Sequence, residues 1–106
     1  MKIIYNHLLP FGERYYAINL FGVLFAKGPV DREMLNHEEI HTAQMKEMGY
    51  LLFYLWYVVE WLWRLIQKGD SFKAYHAISF EREAYANERN YSYLPRRKKY
   101  AWRKYL

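Results

Sequence analysis

The stretch Asp31-Arg32-Glu33-Met34-Leu35-Asn36-His37-Glu38-Glu39-Ile40-His41-Thr42-Ala43-Gln44-Met45-Lys46-Glu47-Met48-Gly49 decides how the rest of this chain is read. Met34, Ile40, His41, Gln44, Met45 and Met48 recur at helical spacing. Asp31 is a good N-cap and Gly49 ends the run, so the segment predicts a helix. Within it, residues 37–41 read His-Glu-Glu-Ile-His, an H-E-x-x-H pattern. A separation of four residues is just over one helical turn. His37 and His41 therefore project from one face and can grip a single metal ion, with Glu38 beside them to take a proton from water. Two solvated surface histidines would leave unexplained why both share a stripe with Met34, Ile40, Met45 and Met48. Zn2+ is the expected ion.

A catalytic zinc wants three protein ligands and one open position. The chain has no Cys, which excludes thiolate ligands, disulfide staples, iron–sulfur sites and thiol nucleophiles, and leaves His, Asp or Glu for the third ligand. The metzincin arrangement fails, because positions 44 and 47 hold Gln44 and Glu47 rather than Gly and His. Glu60, His76, Glu81, Glu83 and Glu88 remain. After the punctuation Gly69-Asp70-Ser71, residues Phe72 to Glu88 predict a helix. On it Ala74, Ala77, Ile78, Ala84 and Tyr85 share a face with Glu81, while Glu83 points nearly opposite. Three alanines let another helix approach closely, and a carboxylate in the middle of such a contact calls for a cation. Glu81 is the expected third ligand and Glu88, on the same face, the alternate. A core carboxylate paired with Arg or hydrogen-bonded to Tyr is the competing reading of Glu81.

Outward from these helices, Ile3 to Leu9 is apolar and β-favouring, Pro10-Phe11-Gly12 breaks it, and Tyr15 to Phe25 resumes around Gly22, which predicts a short strand pair. Tyr50 to Ile66 is apolar or aromatic apart from Glu60 and Arg64, which stand one turn apart and can neutralise each other. As a helix it spans roughly 26 Å, a little short of the ~30 Å hydrocarbon core. Core, membrane-interface and membrane-spanning readings all stay open for it. With 106 residues the chain is a single domain, 1–106, and 53% hydrophobic residues exclude disorder as its main state. The expected class is α+β: a short N-terminal strand pair, then three main helices. Residues 1–88 hold nine Lys/Arg against eleven Asp/Glu, and residues 89–106 hold seven against none, so the net charge of +5 belongs to a basic aromatic tail. Such a block more commonly forms a solvated terminal helix face; it also suits an anionic membrane surface, whereas nucleic acid has only composition behind it. The N-terminus lacks a continuous apolar signal region, so the expected address is cytoplasmic, peripheral at the inner membrane face.

From Asp31 to about Glu88 the chain resembles the gluzincin metallopeptidases, in particular the HtpX and CAAX-prenyl-protease group and its small single-domain relatives, the minigluzincins. In that group H-E-x-x-H supplies two zinc ligands and the base, and a later helix supplies Glu in an E-x-x-A-D pattern, often after an aromatic. Phe80-Glu81-Arg82-Glu83-Ala84-Tyr85 matches, with Tyr85 in place of the Asp that orients a ligand histidine. The resemblance implies a minimal zincin-like fold, zinc held by His37, His41 and Glu81, and hydrolysis of a peptide or protein substrate with Glu38 as general base. It also implies an oxyanion stabiliser, for which His76, Tyr91, Tyr93 and Arg96 are the available types. In zincins the strand before the helix binds extended substrate by edge pairing, a role open to Ala17 to Phe25 beside a plain structural one. The alternative function is a zinc-binding structural or membrane-associated interaction protein without turnover; Glu38 weighs against it, since a structural site has no use for a base.

Overall fold

The computed structural model describes residues 1–9 and 15–106, and the expected break at Pro10-Phe11-Gly12 lies outside the described residues. The chain forms an α+β fold, a small sheet followed by helices. Strands β1 (Lys2–Tyr5), β2 (Ala17–Leu20) and β3 (Val23–Ala26) form one sheet in the order β1-β3-β2. The stretch from Tyr15 to Phe25, expected to be one strand, is two. Phe21 and Gly22 both take positive φ, 54° and 86°, the backbone of a two-residue hairpin turn. Asn19 Oδ1 accepts from Gly22 N at 2.9 Å and so holds the turn. The expected pair is therefore a β2–β3 hairpin in antiparallel register, with β1 added parallel to β3, Ile3 opposite Leu24. β2 is left as an edge.

Helix α1 (Arg32–Met48) has the caps its sequence predicts: Asp31 accepts from Met34 N at 2.8 Å, and Gly49 ends the helix in the left-handed conformation. Tyr50 N bonds back to Met45 O at 2.8 Å, which turns the chain at once into α2 (Leu51–Lys68). Of the eighteen residues of α2, only Phe53 and Glu60 are fully buried, so it is a surface helix with one packed side rather than a core helix. Among the described residues no helix is long and apolar enough to cross a membrane.

The helix expected over Phe72 to Glu88 is interrupted. Ile78 is extended (φ −63°, ψ 137°), separating α3 (Ser71–Ala77) from α4 (Ser79–Asn87). The cause is Glu60 of α2, whose two carboxylate oxygens accept from Ser79 N at 2.7 Å and Ser79 Oγ at 2.6 Å. A buried carboxylate at a helix start satisfies amide groups that would otherwise be orphaned. This capping contact, rather than metal ligation, is the role of Glu60; Arg64 Nε lies 3.8 Å away.

The basic tail packs against the body. It forms a short helix α5 (Tyr93–Arg96) and a 3-10 turn (Ala101–Tyr105) whose Trp102 is buried against Phe80 and Trp56, with ring centroids 4.8 and 5.1 Å apart. Trp102 completes a core of Met45, Met48, Phe53, Ile78 and Phe80 shared by α1, α2 and α4.

Candidate metal centre

α1 and α4 lie against each other, and their facing sides place His37, His41 and Glu81 together. Glu81 Oε1 is 2.9 Å from His41 Nε2 and 3.1 Å from His37 Nε2, and the two Nε2 atoms are 3.1 Å apart. All three residues are buried, with 4–5% of their surface exposed. They form a group able to hold a metal ion.

Hydrogen bonds at the rear of each of the three set which atom it presents to that point. Gln44 donates through Nε2 to Phe80 O and Glu83 Oε1, both at 3.0 Å, which orients its amide so that Oε1 faces His41 Nδ1 at 2.7 Å. The imidazole therefore keeps a proton on Nδ1 toward Gln44, and Nε2 is the nitrogen it turns inward. Glu88 Oε1 does the same for His37, 3.3 Å from its Nδ1. Tyr57 Oη donates to Glu81 Oε2 at 2.7 Å and leaves Oε1 for the centre. Three electron-pair donors thus converge on one spot with a spacing near the ~3.3 Å edge of a tetrahedron whose metal–ligand bonds are about 2.0–2.1 Å. Burial alone would lower the His41 imidazole, yet the Glu81 carboxylate outweighs it and raises it to about 9.

Glu38 is buried in the same turn, and burial pushes its carboxyl up while the two histidines pull it down. Its backbone carbonyl accepts from Asn19 Nδ2 at 2.9 Å, which ties the hairpin to α1. The Glu38 side chain lines two cavities. One, of about 490 Å³, is apolar and walled by Ala17 to Leu20 of β2 and by Phe53, Tyr54, Tyr57, Val58 and Trp61 of α2, with His41 and Glu81 also lining it. The other, of about 350 Å³, is the more polar of the two and is lined by His37, His76, Tyr85 and Glu88 among others. Tyr75 lines both.

Glu88, the alternate ligand, instead supports His37 from outside. Asn36 Nδ2 donates to Asn87 O at 3.2 Å and Glu88 O at 2.8 Å, fixing the end of α4 against α1. Tyr85 does not hydrogen-bond a ligand imidazole. Its ring packs edgewise on His37, centroids 4.5 Å apart, and its Oη meets Tyr75 Oη at 3.2 Å. His76 stacks near Tyr85 at 4.7 Å and faces the polar cavity, where burial lowers its imidazole. Tyr93 and Arg96 lie away from both cavities: Tyr93 Oη donates to Glu83 at 2.6 Å, and Arg96 is exposed on α5. Tyr91 packs under Arg32 at 3.9 Å instead.

Glu83 does point away from Glu81, but it too is fully buried, which the small-residue face did not foretell. Arg97 pairs with it through Nε and bonds Glu47 Oε1 at 2.7 Å. Burial would raise the Glu83 carboxyl, and hydrogen bonds from Arg97, Tyr93 and Gln44 outweigh it and hold it below its ordinary value. Gln44 and Tyr57 are the residues of the centre that sequence reasoning missed. Gln44 stands three residues after His41, a same-face spacing that was available as a signal. Nothing local marks Tyr57. Comparison of the chain with protein-family models, curated proteins and solved structures gives no match.

Proposed function

We propose that this chain is a minimal zinc metallopeptidase of the cytoplasm, with His37, His41 and Glu81 as ligands and Glu38 as general base. The observation that carries the reading is the pairing of a buried, outwardly braced two-histidine, one-carboxylate set with a second carboxylate that lines an adjoining cavity. Such a nitrogen and oxygen donor set without thiolate suits Zn2+ in a hydrolytic role. When bound, zinc lowers the pKa of water toward ~7 and polarises a carbonyl. Glu38 then accepts the proton of the attacking water and returns it to the leaving amine. Tyr75 and His76 are the donors available at the cavity walls for a developing oxyanion; burial keeps the Tyr75 phenol protonated and able to donate. An extended peptide pairing with the edge of β2 would lay an apolar side chain into the cavity that Ala17 to Leu20 help to wall.

Burial of all three ligands favours a second reading, a zinc-stabilised structural protein without turnover. Glu38→Gln separates the two. The amide keeps the shape and cannot take the proton, so the variant should retain zinc and lose about 10²- to 10⁴-fold in cleavage of an unfolded protein. Zinc-loaded wild type that cleaves nothing would favour the structural reading, and equal cleavage by both proteins would remove Glu38 from the mechanism.

A further inference from the structure

The outward side of α2 is an apolar face that the described fold leaves uncovered. Leu51, Leu55, Val59, Leu62, Trp63 and Ile66 are 76, 62, 59, 48, 51 and 84% exposed. At ~100° per residue they fall within an arc of about 120°, along a ridge of about 22 Å, and no polar side chain of α2 falls within that arc. A contiguous exposed patch of this kind marks an interaction site.

The margins of the ridge carry positive charge. Trp56 of α2 meets Trp102 with centroids 5.1 Å apart, which brings the 3-10 turn, with exposed Arg103 and Lys104, to one flank, and Lys98 and Lys99 precede that turn. Lys68 and Lys73 are exposed beyond the C-terminal end of the ridge. The one acid of α2, Glu60, is buried under Ser79. An apolar ridge with a cationic margin and tryptophans at its flanks is the surface of a helix that lies in the plane of an anionic bilayer. The helix does not meet the length and hydropathy needed to cross one. A second copy of the chain fits less well, since a symmetric pairing would set the two cationic margins against each other with no exposed acid of α2 to answer them.

We infer that α2 and the C-terminal turn together form a docking surface for an anionic lipid bilayer, with α2 seated in the headgroup layer. Val58, which lines the apolar cavity beside the metal centre, borders the same face, so docking sets that cavity next to the lipid. The inference does not depend on turnover.

The test is sedimentation with vesicles of phosphatidylcholine containing about 30% phosphatidylglycerol, and with vesicles of phosphatidylcholine alone, at ~0.05 M and ~0.5 M salt. The full chain should bind the anionic vesicles at low salt and lose at least about tenfold in affinity at high salt or on neutral lipid. Leu55→Asp/Val59→Asp should abolish binding. Replacing Lys98, Lys99, Arg103 and Lys104 with Gln should weaken it at least about tenfold at low salt. All six positions are on the surface, so both variants should melt and retain metal as wild type does; Glu38→Gln should bind vesicles like wild type. No binding to anionic vesicles at low salt, or binding indifferent to Leu55→Asp/Val59→Asp, overturns the inference. So does a dimer in light scattering that Val59→Asp dissolves while vesicle binding is absent, which assigns the ridge to a second copy.

Discussion

His41 and Gln44 show how one side chain sets the chemistry of another. The Gln44 amide is oriented by Phe80 O and Glu83, and its carbonyl oxygen holds a proton on His41 Nδ1, so Nε2 is the nitrogen left to face the centre. Glu88 plays the matching part for His37. Loss of such outer partners typically costs 10- to 100-fold in metal affinity. Glu88→Ala should therefore weaken zinc binding by about that factor in a competition titration with a chelator, and Glu88→Gln, whose amide oxygen can still accept, by less. Glu81→Ala removes a ligand and should leave under about 0.2 zinc per chain by elemental analysis, against one for wild type. Equal zinc contents would put Glu81 in the competing role of a core carboxylate.

At the scale of elements, the site depends on how α4 begins and ends. Glu60 starts it by accepting from Ser79, and Asn36 holds its far end, so Glu81 in the first turn and Glu88 just past the last residue both meet α1. Glu60→Ala removes the hydrogen bonds it accepts from Ser79 N, Ser79 Oγ and Trp56 Nε1 and leaves buried donors without them, a loss of about 2–4 kcal/mol. Urea unfolding of the zinc-free protein should show that loss; a variant as stable as wild type would mean that Ser79 finds other partners. The burial of Glu83 comes from Gln44 of α1 and from Tyr93 and Arg97 of the tail, which no face of α4 encodes. α3 and α4 are separate helices, so the face counted over Phe72 to Glu88 as one helix does not hold across them.

Across the whole molecule, the tail that looks like a solvated basic block is divided in function. Arg97 is 5% exposed at its side chain and joins Glu83 of α4 to Glu47 of α1, whereas Lys98, Lys99, Arg103 and Lys104 face outward. Arg97→Ala leaves two buried carboxylates without their cation and should destabilise by about 3–5 kcal/mol, while Lys99→Ala should change stability by less than ~0.5 kcal/mol. Thermal melts of the two variants check this, and similar melting would return Arg97 to the solvated set. A metal ion held by His37, His41 and Glu81 would join α1 to α4, so the melting temperature should rise with added zinc, by an amount that grows with the free zinc concentration, and fall again on chelation.

What the sequence determines by itself is what a helical period and a short motif can carry. Asp31, Gly49 and the apolar stripe define α1, and H-E-x-x-H places two histidines on one side of it. These are relations within a few turns of one helix, where ~3.6 residues per turn is enough to compute a direction. Tertiary structure decides the rest. Tyr57 reaches Glu81 across 24 positions, Glu88 reaches His37 across 51, Arg97 reaches Glu47 across 50, and β1 pairs in parallel with a strand twenty-one positions on. No local periodicity encodes such pairs, because each exists only once the chain has closed the intervening loop and buried both partners. The ridge of α2 belongs to the same class. Its seventeen-residue apolar run is visible in the sequence, but which side stays uncovered depends on where α3, α4 and the C-terminal turn pack against it.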